Sequence, residues 1–237
     1  MGKQDAVQET LSIIIPVYNE KKTIQALIEK VRKADTLGLK KELIIVDDGS
    51  NDGTGDLLKK INNAKVFFHE NNKGKGAAIR TGLQHARGDI LLIQDADLEY
   101  DPNDYKALLE PLIAKKTDVV YGSRFVQSKI FPKNMYYAHC LGNMVLTGMT
   151  NVLYSANLSD METCYKVMRK EAVKGLQLSS MRYDIEPELT AKLLKKGFSI
   201  HEVPIRFEPR SFEEGKKINW KDGLVAAWTL VKYRFNE

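Results

Sequence analysis

Ile90-Leu-Leu-Ile-Gln-Asp95-Ala-Asp97 joins four apolar residues to a pair of acids. A short, wholly apolar run that ends in polar residues fits a strand buried on both faces, as in a parallel sheet. The same design recurs along the chain. Leu11-Ser-Ile-Ile-Ile-Pro16 runs into Val17-Tyr-Asn-Glu20, Leu43-Ile-Ile-Val46 into Asp47-Asp-Gly-Ser50, and Val119-Val-Tyr121 into Gly122-Ser-Arg124. Val66-Phe-Phe68 reads as one more strand. Between these runs lie helical patterns. Ile24, Leu27, Ile28 and Val31 form an apolar stripe, Asp52 to Ile61 suits a short helix, and a glycine-rich turn at Asn72-Lys-Gly-Lys-Gly76 opens a helix to about Arg87. Pro102 sits where a further helix begins. Strand-helix alternation with short loops predicts an α/β fold with a mostly parallel central sheet covered by helices on both faces. Right-handed crossovers bring the strand C-termini to one edge, where ligands of such sheets bind.

After Arg124 the alternation loosens. Asn134 to Ser159 reads as helix, Tyr165-Lys-Val-Met168 as a short strand, Asp184 to Lys196 as helix and Ile200 to Phe207 as strand. Trp220, Leu224, Trp228, Val231 and Phe235 fall on one face of a final helix. With no internal repeat and no low-complexity linker, the 237 residues read as one domain with halves at 10–125 and 126–237.

Apolar residues at 43% and charged residues at 28% exclude a disordered or collagen-like chain. The net charge of +5 is too small to argue for nucleic acid; it suits a phosphate-bearing substrate or an anionic membrane surface. Cys140 and Cys164 read as two buried thiols of a reducing compartment rather than a disulfide. Met1 to Thr10 is too polar for a signal peptide. Asn134 to Ser159 lacks charge, but its four Asn, His139 and two Gly argue against a bilayer-spanning helix.

The chemistry gathers at the strand ends. In an extended segment Asp95 and Asp97 would point the same way, and Glu99 repeats the spacing. Hard oxygen ligands in that arrangement suit Mg²⁺ or Mn²⁺; a solvated acidic turn is the plainer alternative. Asp48 and Glu20 each read either as a ligand contact or as part of a turn. The Gly74-Lys-Gly76 turn fits neither a P-loop, since His69 and Gly76 stand where Gly and Ser or Thr are needed, nor a dinucleotide fingerprint, since Ile79 replaces Gly or Ala. Lys73, Lys75 and Arg80 stay open between phosphate or base contact and a helix-opening turn. Arg210 and Lys216 flank Ser211-Phe-Glu-Glu-Gly215, a loop that could close over a diphosphate or simply be solvated.

Taken in order, Pro16-Val-Tyr-Asn-Glu20, Val46-Asp-Asp-Gly-Ser50, Asn72-Lys-Gly-Lys-Gly76, Asp95-Ala-Asp97 and Gly122-Ser-Arg124 resemble the family 2 glycosyltransferases of GT-A fold. The likeness extends from about Leu11 to Tyr233 and is strongest toward the dolichyl-phosphate mannose or glucose synthases and the bacterial polyprenyl-phosphate glycosyltransferases. It implies an inverting hexosyltransferase using a UDP- or GDP-hexose donor, a Mg²⁺ or Mn²⁺ ion and a polyprenyl phosphate acceptor. By resemblance, Pro16, Tyr18, Glu20, Val46 and Asp48 frame the nucleoside with Lys75 nearby, and Ala96 and Asp97 meet the donor phosphates. Asp95, Asp97 and Glu99 surround the metal, although the synthases often carry Gln at the last position. Arg124 faces a donor or acceptor phosphate, and Arg210 and Lys216 belong to the loop that closes over the donor.

The synthases usually place another Arg about 14 residues beyond Gly-Ser-Arg; here the chain reads Tyr136-Tyr-Ala-His139, leaving His139, Lys129 or Lys133 as substitutes. Many members also carry spanning helices, so the resemblance implies a cytoplasmic enzyme held peripherally at the membrane face, by its own interfacial helices or a separate anchoring partner. The alternative acceptor is a glycan hydroxyl, which needs a general base such as Asp160 or Glu162.

Overall fold

The computed structural model describes residues 8–126, 137–210 and 220–236. Its core is one seven-stranded sheet in the order β3-β2-β1-β4-β6-β5-β7, formed by β1 (Thr10–Val17), β2 (Lys40–Asp47), β3 (Lys65–Phe68), β4 (Ile90–Ile93), β5 (Val119–Ser123), β6 (Lys166–Arg169) and β7 (Ile200–Pro204). The apolar runs bury as their composition demands. Ile13, Ile14, Ile15, Ile44, Ile45, Val46, Ile90 and Leu92 are inaccessible to solvent because helices cover both faces.

β2, β1, β4 and β5 point the same way, and their C-terminal loops meet at one edge. β6 is the exception: it is antiparallel to both β4 and β5 and lies between them. Its N-terminal side therefore reaches the same edge that the other strands reach with their C-termini. The second half of the chain thus enters the middle of the sheet, so the two halves read from the sequence share one sheet.

Helices α1 (Ile24–Lys33), α2 (Thr54–Leu58), α3 (Lys75–His85) and α4 (Tyr105–Ile113) follow the expected order. α5 (Tyr137–Tyr154), α6 (Lys170–Val173), α7 (Ile185–Lys195) and α8 (Trp220–Phe235) belong to the second half. Leu146 of α5, Ala226 and Leu230 of α8, and Leu158 and Met161 build a small separate core between α5 and α8. Cys140 and Cys164 are free and buried.

The final helix turns outward the face the sequence marks as apolar. Trp220 is 72% exposed and Trp228 66%, while Ala226, Thr229, Leu230 and Tyr233 pack inward. α5 likewise exposes Tyr137, Leu141, Met144, Val145 and Val152. No described helix is long and apolar enough to cross a membrane.

Candidate active site

The loops after β1 and β2 are stitched together. Asn19, at φ 54, donates its backbone amide to Ser50 Oγ at 2.9 Å, and its side-chain Oδ1 accepts from the Asn51 amide at 2.9 Å. Gly49 is required here: at φ +73 any Cβ would stand 2.7 Å from Asn71 C and Asn72 N. Pro16 and Val46 are buried in the strands, and Tyr18 is half-buried beside them.

Asp48 is buried, and its oxygens are occupied by the chain itself. It accepts from the Lys73 amide at 3.0 Å and the Gly74 amide at 2.7 Å, with His69 Nδ1 at 2.7 Å. Its work here is to hold the Gly-Lys-Gly loop. That loop explains its own composition. A Cβ at Gly74 would lie 2.3 Å from the Met181 carbonyl oxygen, and one at Gly76 2.6 Å from that of Ser180. The Gly76 and Ala77 amides donate to the Arg182 and Met181 carbonyls at 3.1 and 3.0 Å. The start of α3 is thus committed to the 180–182 segment, the helix-opening alternative for this turn. Arg80 is likewise spent on the Ser179 carbonyl, at 3.1 Å. Lys75 turns inward, 2.8 Å from Asp95 and 2.9 Å from Glu186.

The acids after β4 do not fan out as an extended segment would. The strand stops at Ile93, and the chain turns through Ala96, Asp97 and Leu98, the last at φ 66. Same-side projection is therefore corrected by the turn: Asp95 faces Lys75, while Asp97 and Glu99 face Arg210. Buried Gln94 braces the turn. It donates to the Asp95 carbonyl at 2.9 Å and accepts from the hydroxyls of Tyr105 and Tyr165, each at 2.8 Å.

Arg210 reaches this edge because residues 207–210 run back along the acidic turn, with Tyr100 and Phe207 bridged and the Glu208 amide donating to the Glu99 carbonyl at 2.9 Å. Its guanidinium lies 3.1 Å from Glu20 and 2.9 Å from Asp97, and its amide donates to Glu99 at 2.9 Å. Lys216, its expected companion, lies outside the described residues.

Among the described residues no three acidic, His or Cys side chains form a ready metal cage. The charge balance nevertheless suits a divalent cation. Burial and the charges of Asp95 and Glu99 push the Asp97 carboxyl up to about 7, with Arg210 pulling the other way. A hard oxygen site this short of positive charge fits Mg²⁺ or Mn²⁺.

Across the edge, Arg124 and Asp160 form a buried bidentate pair. Nε and Nη2 each donate at 2.7 Å, and the Arg124 amide adds a third bond at 3.0 Å. The Arg124 guanidinium also lies over the Phe207 ring, 5.1 Å from its centroid. The amides of Ser159 and Asp160 donate to Glu202 on β7 at 2.7 and 2.9 Å. Asp160, read from the sequence as a candidate base, has both oxygens committed to Arg124.

Sequence reasoning gave no role to Glu186, Asn143, Glu202 or Lys166. Lys166 is fully buried, donates to the Met161 and Thr163 carbonyls at 2.7 and 2.8 Å, and lies 3.9 Å from the Tyr121 ring centroid. Burial lowers its ammonium to about 8. A lysine inside a strand pattern was the one available signal.

A parallel-dominated sheet with acids and arginines at its C-terminal edge is the architecture of a GT-A glycosyltransferase. The sequence profile of glycosyl transferase family 2 matches residues 12–176, and the chain belongs to that family. It is 34% identical to a UDP-N-acetylglucosamine–dolichyl-phosphate N-acetylglucosaminyltransferase of Methanococcus voltae, covering 95% of this chain and 96% of that protein. It is 29% identical to a dolichol-phosphate mannosyltransferase of Pyrococcus furiosus over 87% of this chain, but spans only 58% of that protein. A polyprenol monophosphomannose synthase of Mycolicibacterium smegmatis is 29% identical over 94% of this chain and 88% of its own. The fold matches that of Mycobacterium tuberculosis glucosyl-3-phosphoglycerate synthase, solved with Mn²⁺, UDP and phosphoglyceric acid, at a TM-score of 0.73, 20% identity, and coverage of 96% of this chain and 79% of that one.

Proposed function

We propose that this chain transfers a hexose, with inversion, from a nucleoside-diphosphate sugar to a polyprenyl phosphate. The observation that carries the acceptor choice is the Arg124–Asp160 pair. With both its oxygens on Arg124, Asp160 is a poor proton acceptor, so an acceptor that brings its own negative charge suits this edge. A phosphate monoester is largely dianionic at neutral pH and needs no strong base.

Pro16, Tyr18, Glu20 and Val46 would line the nucleoside side of the site, with Asp48 acting there through the Gly-Lys-Gly loop it holds, and Ala96 and Asp97 would face the diphosphate. Asp97 and Glu99, with Asp95 adding negative charge from its place beside Lys75, would hold a Mg²⁺ or Mn²⁺ ion, which as a Lewis acid would neutralise charge on the departing diphosphate. Arg210, drawn from its carboxylates toward the diphosphate, and Lys216 add fixed positive charge at the leaving group. Arg124, held flat by Asp160 and Phe207, orients a phosphate. The exposed apolar faces of α5 and α8, with Lys221, Lys232 and Arg234 on α8, support peripheral contact with an anionic membrane.

One observation favours a glycan hydroxyl acceptor as a second reading. Glu162 Oε1 is buried with no partner among the described residues, and burial together with Glu186 raises its carboxyl to about 8, the range of a working base. A donor screen with Mn²⁺ and Mg²⁺, offering polyprenyl phosphate or free sugars, separates the two. A lipid-linked, acid-labile product is expected; transfer to glycan hydroxyls alone overturns the first reading.

A further inference from the structure

Four consecutive backbone amides beside Arg124, those of Leu158 to Met161, each donate to a side chain. The Leu158 amide meets Asn151 Oδ1 at 2.8 Å, and Asn151 Nδ2 donates back to the Leu158 carbonyl at 2.8 Å. The Ser159 and Asp160 amides take the two oxygens of Glu202, and the Met161 amide reaches Thr147 Oγ1 at 3.1 Å. A connecting segment ordinarily runs over the surface, where water meets its backbone. Here Leu158, Asp160 and Met161 are buried. The path of the segment is therefore set by α5 on one side and β7 on the other. Ser159 extends the hold. Its hydroxyl bonds to Glu202 and lies 2.6 Å from Ser123 Oγ, which in turn accepts from the Phe125 and Val126 amides at 3.1 and 3.2 Å. The Gly122-Ser-Arg124 turn and Asp160 thus hang from one carboxylate on the edge strand of the sheet.

We propose that Glu202 is a positioning residue for the acceptor phosphate: it fixes the segment that carries Asp160 and, through Asp160, the plane of Arg124. The inference rests on the phosphate-acceptor reading and deepens it by naming what aims the guanidinium. The path is short. Glu202 takes the Asp160 amide at 2.9 Å, and the Asp160 carboxylate takes Arg124 Nε and Nη2 at 2.7 Å each. A side chain that orients a phosphate must be held to within about 0.5 Å, and hydrogen bonds one layer behind it supply that constraint. The geometry also explains why the residue is an acid. Two amides converge on it, and a carboxylate has an acceptor oxygen for each. A Gln of the same shape has one such oxygen and turns an N–H toward the other amide. Burial raises the Glu202 carboxyl above its ordinary value, while the Ser159 amide, the Ser159 hydroxyl and the Asp160 amide pull it down. Holding an acid in such a place is unfavourable unless its oxygens are bonded, and the acceptor segment bonds both.

The test compares wild type with Glu202→Gln and with Asn151→Ala, which loosens the same segment from α5. Solution NMR follows hydrogen exchange at Arg124 Nε, a signal assigned by its absence in Arg124→Lys. Steady-state assays with a short-chain polyprenyl phosphate give the KM for acceptor and for nucleotide sugar. Loss of a charge-assisted bond behind Asp160 is expected to speed the Nε exchange about 10-fold and to raise the acceptor KM about 10-fold in Glu202→Gln. The donor KM is expected to change little, and Asn151→Ala is expected to move both readings in the same direction. Asn151→Ala removes no charge and supplies the reading should Glu202→Gln fail to fold, which its melting temperature reports. Unchanged Nε exchange overturns the positioning role. So does faster exchange with an unchanged acceptor KM, or an equal rise in the donor KM, the mark of a general loosening. A wild-type chain that transfers only to glycan hydroxyls overturns the acceptor reading instead, and the exchange at Arg124 still decides whether Glu202 holds the guanidinium.

Discussion

Arg210 Nη2 lies 2.9 Å from Asp97 Oδ2, so the cation nearest that carboxylate is one the chain itself supplies. Arg210 also contacts Glu20 and Glu99, and it competes with any metal for the same negative charge. Arg210→Ala is therefore expected to slow transfer by roughly 10²-fold or more, as loss of a charge-stabilising group does. Mn²⁺ binding without donor should hold or tighten. Electron paramagnetic resonance titration reads the metal and a turnover assay the rate; weaker Mn²⁺ binding would count against the competition.

Asp160→Asn removes a full charge from a buried bidentate pair and takes that carboxylate from the Arg124 guanidinium. Breaking such a pair costs about 3–5 kcal/mol. The expected outcome is a lowered melting temperature and loss of transfer to every acceptor. Selective loss with hydroxyl acceptors, on a fold of unchanged stability, would restore Asp160 as a base.

Glu188 predicts acid sensitivity. Burial pushes its carboxyl up, but the Lys192 side chain and the Ser179 and Ser180 groups outweigh this and hold it at about 2, against 4.5 in an unfolded chain. The folded value is the lower one, so the stabilisation is complete above about pH 4.5 and fades as pH falls toward 2. Urea melts between pH 6 and 3 should show a steeper loss for wild type than for Glu188→Gln.

Gly74→Ala drives a Cβ to within 2.3 Å of the Met181 carbonyl at a backbone angle that disfavours side chains. The 180–182 segment must move, and with it the Lys75–Glu186 pairing. Lower stability and weaker nucleotide binding are expected together. A variant that melts like wild type would show that the segment gives way freely.

Replacing Trp220 and Trp228 with Ser removes large exposed rings that pack little against the fold. The melting temperature is expected to stay within a few degrees, while cosedimentation with vesicles containing anionic lipid drops severalfold. Unchanged cosedimentation would move membrane contact elsewhere.

The sheet was legible because Leu11 to Pro16, Leu43 to Val46 and Ile90 to Ile93 are apolar throughout, and double burial has that signature. Asp95, Asp97 and Arg124 were legible because they follow such runs directly. The direction of β6 was not: Tyr165-Lys-Val-Met168 carries no mark of orientation, and its buried Lys166 argues against a strand at all. Glu186 was hidden for a related reason. It sits in the first turn of a helix, where an acid is ordinary on dipole grounds, and only Lys75, 111 positions earlier, reveals another use. Asp48 was ambiguous because turn-holding and ligand-holding acids look alike until the Lys73 and Gly74 amides are seen on it.

The reversed strand has a consequence for how this enzyme can be cut or recombined. A fragment ending near residue 125 keeps β4 and β5 but loses the ribbon that joins them, leaving a gap one strand wide in the middle of its sheet. Each flank would present an unsatisfied row of amides and carbonyls, an invitation to aggregate. Grafting a new acceptor half onto an old donor half therefore has its natural seam beyond Arg169, not at the loop where the motifs change character.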